Sequence, residues 1–362
     1  MSAVLKLARP DILALQPYQH AAWEPSLDRL HANEMPWRPD GDPTAAGLNR
    51  YPEPQPAELI EHLAQLYGVD PQQVLAGRGS DEGIDLVVRA FCRAGQDSVL
   101  ICPPTFGMYK VCARIQGADV IEVPLRKDQG FALDTEAILA ACATAERPVK
   151  VLFLCSPNNP TGNLLDRQAI ERLCEELTER AIVVVDEAYV EFARNCPSLS
   201  SALARFDNLV VLRTLSKAYA LAGARCGALL AHPDIVRLLA RVITPYALST
   251  HTVEAVLSLT DAAHVAAAQA RIDTLLTERA RLAERLAALP LIRQVWPSDA
   301  NFILVDCTDA DRVLSAAVDA GLIIRDPRSQ PGLASCVRIS VGTPEQNERL
   351  LEGIARAAGA AT

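Results

Sequence analysis

Lysine is scarce in this chain. Of its 35 basic residues only five are lysines, at positions 6, 110, 127, 150 and 217. Positive charge is short overall, because 44 acidic residues leave a net charge of -9. That balance speaks against a nucleic-acid partner, while leaving room for a local basic pocket that takes an anionic ligand. Close cysteine pairs are missing too: the ten cysteines never approach nearer than ten residues (Cys92/Cys102, Cys102/Cys112). This excludes CxxC zinc and thioredoxin patterns and, in a chain of 362 residues, does not suggest a disulfide scaffold. Free thiols in a reducing compartment are the expectation, hence a cytoplasmic protein. The six histidines are scattered without metal spacing, so no metal site is expected. No apolar run reaches about 18 residues, so no membrane span is expected. The segment "MSAVLKLARPDILALQPY" lacks the apolar core and cleavage site of a signal peptide.

What is present is apolar and well distributed. Half of the residues are hydrophobic and 22% are charged, which allows a sizeable core. The length suits one large domain plus a smaller one. Residues 1–50 are Pro-rich and weakly periodic and read as an N-terminal arm that packs on something else. Residues 51–260 read as a large domain. A helix is predicted over 57–67, and strands over 98–102, 119–123, 149–155, 181–186, 208–213 and 226–231. Several of these strands are apolar throughout, as strands buried on both faces should be. Helical patterns at 81–93, 106–116 and 166–180 alternate with them, which indicates an α/β domain with a mainly parallel central sheet. Residues 261–362 read as a smaller α+β C-terminal domain. It opens on one long helix and continues through strands at 301–305 and 336–341, flanked by helices at 309–320 and 344–358.

In open α/β sheets ligands bind outside the carboxyl ends of the strands. Here strand 149–155 runs into "SPNNPTG", strand 181–186 into "DEAY" and strand 208–213 into "TLSK". An amide (Asn159), a carboxylate (Asp186), a phenol (Tyr189) and a lysine (Lys217) therefore come to one rim. Taken singly, Asn159 is an ordinary turn residue and Asp186 an ordinary strand-end or capping carboxylate. Ser80 in "GRGSDEGID" is a good helix N-cap, and the same Gly-rich turn presents N–H groups that favour a phosphate. Lys217 lies among "AYALAGARCG", a poor solvated face, and a buried lysine is costly unless paired or covalently bonded. A cofactor needing all four groups accounts for the set together. Pyridoxal 5'-phosphate (PLP) needs an amine to attach it, a carboxylate at its ring nitrogen, hydrogen bonds to its ring oxygen and a phosphate cradle.

The motifs "SPNNPTG", "DEAY" and "TLSKAYALAGARCG" resemble the signatures of fold-type I PLP-dependent aminotransferases. Together with "LNRYPEPQ", "RGSDEGIDL", "CPPTFGMY", "IIRDP" and "VRISVGT" they resemble, more closely, the histidinol-phosphate aminotransferases, in that family's order from Tyr18 to the C-terminus. The resemblance implies the following roles. Lys217 attaches the cofactor and shuttles the proton. Asp186 pairs with the ring nitrogen, and Asn159 and Tyr189 donate to the ring oxygen. Ser216 and Arg225, with the backbone at Ser80 and Asp81, hold the phosphate, and the Asp81 carboxylate points away from it. Phe106 stacks on the ring, while Tyr109 in the same stretch receives no role. Tyr51 reaches the phosphate of a neighbouring subunit's cofactor, which implies a homodimer with shared active sites.

On the substrate side the resemblance implies Arg338 for a carboxylate, Arg325 for the extra charge of a phosphate, Tyr18 beside it, and Asn159 as a further substrate-binding residue. The implied reaction is reversible transamination between L-histidinol phosphate with 2-oxoglutarate and imidazole acetol phosphate with L-glutamate, in histidine biosynthesis. Aromatic amino-acid aminotransferases and threonine-phosphate decarboxylases share the cofactor motifs and remain alternatives. A non-catalytic effector-binding regulator is a further one, for which the chain has no spare DNA-binding segment.

Overall fold

The computed structural model describes residues 2–18, 27–194 and 196–359. After α1 (Pro10–Leu13) and α2 (Ala57–Tyr67), the chain alternates strands and helices: β1 (Val74–Gly77), α3 (Ser80–Phe91), β2 (Ser98–Ile101), α4 (Met108–Gln116), β3 (Asp119–Glu122), α5 (Thr135–Thr144), β4 (Val149–Cys155), α6 (Arg167–Glu176), β5 (Ile182–Asp186), β6 (Leu209–Thr214) and β7 (Gly227–Ala231). Helices α7 (Pro233–Leu239), α8 (Thr250–Leu259) and α9 (Ala262–Ala287) follow. The chain ends with β8 (Ile292–Val295), β9 (Phe302–Cys307), α10 (Ala310–Asp319), β10 (Cys336–Ser340) and α11 (Pro344–Gly359).

The large sheet has the order β1-β7-β6-β5-β4-β2-β3. Strands β6, β5, β4, β2 and β3 run parallel, and β7 is antiparallel to both of its neighbours. Alternate residues of the central strands feed two separate cores. Leu152, Leu154, Val183, Val185, Leu209 and Val211 pack with Leu59, Ile138 and Ile170 from α2, α5 and α6. Val151, Phe153, Ile182, Val184, Val210 and Leu212 pack with Ile84, Val88, Phe91 and Leu239 from α3 and α7. Both faces are covered by helices, so these strands carry apolar residues on both faces. β8, β9 and β10 form a second, antiparallel sheet packed on α9, α10 and α11 through Leu282, Leu286, Val305, Val313, Ile339 and Leu351. This is the fold-type I arrangement, a mainly parallel sheet with a smaller α+β unit.

The arm behaves differently along its length. Val4, Leu7 and Ala8 are buried in the second of these cores, and the backbone N–H of Arg9 donates to the Ala90 carbonyl at 3.0 Å. The segment from Val4 to Ile12 is thus part of this chain's own large unit. Farther on, Leu27, Leu30, Met35 and Trp37 are exposed.

Because β7 is antiparallel, its first residue lies on the same rim as the last residues of its neighbours. Gly227 pairs with Thr214 of β6 and with Gly77 of β1, and Cys155 of β4 pairs with Asp186 of β5. The ends of β1, β4, β5 and β6 and the start of β7 therefore bring five loops together. A smaller apolar cluster, including Tyr189, Ala218, Leu276 and Phe302, joins this rim to the second sheet.

Candidate active site

A cavity of about 140 Å³ opens on that rim, lined among others by Ser80, Phe106, Asn159, Asp186, Lys217 and Arg225. Asp81, Tyr189, Ser216, Cys155, Thr214 and Gly79 complete most of the wall. Every cofactor residue expected from the sequence, Tyr51 excepted, is in this lining. A larger concavity of about 570 Å³, between the arm and α8, is lined by Arg29, Arg50, Tyr51 and Glu254. It brings no comparable convergence of strand ends, and the chemistry is argued from the smaller one.

Asp186 lies at the buried end of the cavity with 2% of its surface exposed. Its Oδ1 accepts from the Ala188 N–H at 3.1 Å and its Oδ2 from the Tyr109 hydroxyl at 2.8 Å. Burial pushes the carboxyl up to about 6, against these two hydrogen bonds, which favour the charged form. A cationic partner in the cavity would bring it back down, which is the environment a protonated pyridine nitrogen requires.

At the side wall the Asn159 amide donates to the Tyr189 hydroxyl at 3.4 Å, and Asn159 Oδ1 accepts from Arg338 Nη1. The neighbouring Asn158 is fully engaged in holding the turn: its amide donates to the Pro104 carbonyl at 2.8 Å and its oxygen accepts from Thr105 Oγ1 at 3.0 Å. Lys217 places its Nζ 5.8 Å from the centroid of the Tyr189 ring. Its sequence neighbours predict a buried Lys217, but the residue is exposed. The reason is that Ala222–Ala224 forms a short 3-10 turn over the rim, outside the sheet, so Ala220, Ala222 and Gly223 are exposed as well.

The opposite end is built for an anion. Gly79, at φ +82°, turns the chain into α3, and Gly79 rather than Ser80 occupies the N-cap position without a side-chain cap bond. The first N–H groups of α3 are thus left to a ligand. A Cβ on Gly79 would come within 3.1 Å of Arg225 Nη2. Arg225 Nη1 is 3.5 Å from Ser216 Oγ, which also accepts from Thr214 Oγ1 at 3.0 Å. The Asp81 carboxylate is turned to this guanidinium, with its Oδ2 3.4 Å from Arg225 Nη2. Both groups are about half exposed, and the contact is long, so it orients the guanidinium at little cost to its availability. Hydroxyl, guanidinium and free helix N–H groups suit a phosphate, and the donor set as a whole fits PLP.

The residues expected on the substrate side divide. Arg338 is close, with its guanidinium 5.0 Å from the Phe302 ring centroid and its Nε buried without a partner. Arg325 is bridged to it through the backbone. Tyr51 and Tyr18 are not in this chain's cavity. Tyr51 stacks on Tyr246 at 4.5 Å, half exposed, and Tyr18 lines a separate concavity with Arg241 and Pro245 and is 70% exposed. Three residues at or behind the wall went unassigned from sequence: Tyr109, Cys155 and Thr214. Thr214 and Cys155 end β6 and β4, so their position at strand ends was a usable signal. Tyr109 is on a helix and carried none. Among the described residues no cluster of His, Cys, Asp and Glu suits a metal, and no helix is long and apolar enough to cross a membrane.

Comparison with known proteins agrees with this geometry. The family model for aminotransferase class I and II matches residues 43–354. A histidinol-phosphate aminotransferase of Stenotrophomonas maltophilia is 45% identical over 361 residues, 99% of this chain and 98% of that protein. One from Xanthomonas euvesicatoria is 45% identical over 98% of both chains. The crystal structure of histidinol-phosphate aminotransferase from Sinorhizobium meliloti in complex with pyridoxal-5'-phosphate superposes with a TM-score of 0.75, at 26% identity, over 86% of this chain and 84% of that one. With the match spanning both sheets, the chain belongs to the class I and II aminotransferases, the PLP-dependent family whose cofactor its rim is built to hold.

Proposed function

We propose that this aminotransferase interconverts L-histidinol phosphate and imidazole acetol phosphate, with 2-oxoglutarate and L-glutamate as the second pair, in histidine biosynthesis in the cytoplasm. The observation that carries the substrate assignment is the pairing of Arg325 with Arg338 beside Asn159. Arg338, joined to Asn159, and Arg325, bridged to Arg338, add two guanidinium groups beyond the one beside Ser216. A phosphate dianion calls for that extra charge, and planar guanidinium groups match its oxygens. The near full-length likeness to histidinol-phosphate aminotransferases supports the same reading.

When bound, PLP supplies an electron sink for negative charge at the substrate's α carbon. The chain's own residues do the rest. Lys217 Nζ would be the group that holds the cofactor and, when free, the base that takes the proton from the substrate's amine-bearing carbon and the acid that gives it back. Asp186 keeps a proton on the ring nitrogen. Tyr189 and Asn159 hydrogen-bond the ring oxygen, and Phe106 stacks on the ring. Ser216, Arg225 and the α3 N-terminus would hold the phosphate.

Tyr51 and Tyr18 complete the proposal from outside this chain's cavity. Both are exposed and far from convergent with the site in their own chain. A homodimer in which Tyr51 reaches the partner's cofactor phosphate and Tyr18 the partner's substrate phosphate gives them a purpose. Borohydride reduction of the PLP-loaded protein followed by peptide mapping should place the cofactor on Lys217, and Lys217→Ala should abolish both the trap and turnover. Single-turnover absorbance with histidinol phosphate, phenylalanine and threonine phosphate separates the substrates: a response to phenylalanine alone would overturn the assignment.

A further inference from the structure

Among the described residues Tyr109 is the largest fully buried side chain. It comes from α4 and is clamped on two sides. Its ring lies parallel to Phe153 at 4.7 Å and 1°, and edge-on to Phe106 at 5.6 Å and 83°. A phenol held in this way can aim its hydroxyl in one direction only. It aims at Asp186 Oδ2, at 2.8 Å, while the Ala188 N–H holds Oδ1 at 3.1 Å.

A carboxylate offers about four lone-pair sites. Two are taken here, one on each oxygen, so rotation of the carboxylate breaks one bond or the other. What is left faces the cavity that Asp186 lines. Tyr109 itself is absent from that lining, so it acts through Asp186 and, by its edge contact, through Phe106.

We infer that Tyr109 is a positioning residue for the reaction, fixing Asp186 in the orientation from which its carboxylate meets the cofactor's ring nitrogen; this rests on the function proposed above. The charges around Asp186 make the bond matter. From α3 Asp81, and from the end of its own strand Glu187, are like charges that oppose its ionisation, as burial does. Cys155 from β4 and Tyr189 add no positive charge, and burial drives the ionisation of both well upward. The Tyr109 hydroxyl and the Ala188 N–H are the groups that favour the carboxylate. Losing the hydroxyl therefore raises the pH at which Asp186 takes up a proton, and cofactor binding, which needs the carboxylate, fails earlier on acidification.

The test is the affinity of the apoprotein for PLP, by fluorescence titration across the acidic range, for the parent chain, Tyr109→Phe, Asp186→Asn and the double variant. Tyr109→Phe keeps both ring contacts. We expect its PLP dissociation constant to rise about tenfold at neutral pH, as for a lost hydrogen bond to a charged group, with the acid limb displaced upward. In the Asp186→Asn background the same change should alter affinity by no more than about twofold. Parent-like affinity and acid limb in Tyr109→Phe, or a loss that persists undiminished beside Asp186→Asn, overturns the inference. If Tyr109→Phe does not fold, fluorinating the phenol at its 3 position keeps the ring and strengthens the donor; the acid limb must then move downward, and an unmoved limb overturns the inference. A parent chain that binds no PLP would overturn the proposed function itself.

Discussion

Arg325 and Arg338 face each other across a single antiparallel bridge, each donating its backbone N–H to the other's carbonyl, at 3.0 and 2.9 Å. Residues paired in this way direct their side chains to the same face. Two like charges are thus held together by the backbone, and burial together with the Arg325 charge holds Arg338 below the ordinary arginine range. A bound anion would relieve that repulsion, which is why the substrate phosphate is proposed to lie against this pair. Arg338 also donates to Asn159 of the cavity wall, whereas among the described residues Arg325 has no such contact and adjoins the site only through Arg338.

The two arginines should therefore separate kinetically. Arg325→Gln should raise KM for histidinol phosphate about tenfold, the cost of a charge-assisted bond, while leaving the glutamate half-reaction nearly unchanged. Arg338→Gln should impair both half-reactions. Stopped-flow absorbance of each half-reaction reads the difference directly. Equal damage from Arg325→Gln in both would show that Arg325 has no special relation to the phosphate.

Gly227 starts β7, two residues after Arg225, and it has no room for a side chain. A Cβ there would lie 2.7 Å from the Arg213 carbonyl oxygen and 2.8 and 2.9 Å from Gly79 C and Cα. These are backbone atoms of β6 and of the turn before α3, so no side chain can swing away. Gly227→Ala must push the Gly79 turn outward, away from Arg225. Overpacking of this kind costs about 1–3 kcal/mol. The expected outcome is a lower urea midpoint together with faster PLP dissociation. A stability loss with unchanged cofactor retention would mean that the turn can move without disturbing the phosphate site.

How much of this was legible beforehand depended on burial. β4, β5 and β6 were read correctly because both of their faces are covered, which leaves unbroken apolar runs. Their ends gave Asn159, Asp186, Tyr189 and Lys217. β1 ("VLAG") was missed because it is a four-residue edge strand with alanine and glycine, and β8 ("IRQV") because two of its four residues are exposed. Tyr109 was out of reach for a different reason. Its hydroxyl meets a carboxylate 77 positions away, and helical periodicity marks it only as core. The pairing of Arg325 with Arg338 likewise depends on an isolated bridge, which local sequence does not encode.

Behind the site, Arg213 is the sole cation in a buried group of charges. Its Nη2 donates to Glu191 Oε1 at 2.7 Å, its Nη1 lies 3.7 Å from Glu187 Oε2, and its guanidinium sits 4.5 Å from the Tyr67 ring centroid. The side chains of Arg213, Glu187 and Glu191 are only 7%, 3% and 13% exposed. Glu187 adjoins Asp186, and Arg213 precedes the Thr214–Lys217 turn, so this group ties the two halves of the site together. Removing the cation leaves two buried carboxylates, and Arg213→Met should cost about 3–5 kcal/mol near neutral pH. The pH dependence follows from Glu187. Burial raises its folded value above the ordinary 4.5, and Arg213 works in the opposite direction. A carboxyl raised on folding destabilises the fold as pH rises, from the unfolded value up through the folded one, and costs nothing below the unfolded value. Without Arg213 the folded value rises further, so the penalty extends to higher pH. Urea denaturation should then show the gap between parent and Arg213→Met small at about pH 5 and wide at about pH 8. A gap that is equal at both, or larger in acid, would mean that Glu187 is not the group Arg213 neutralises.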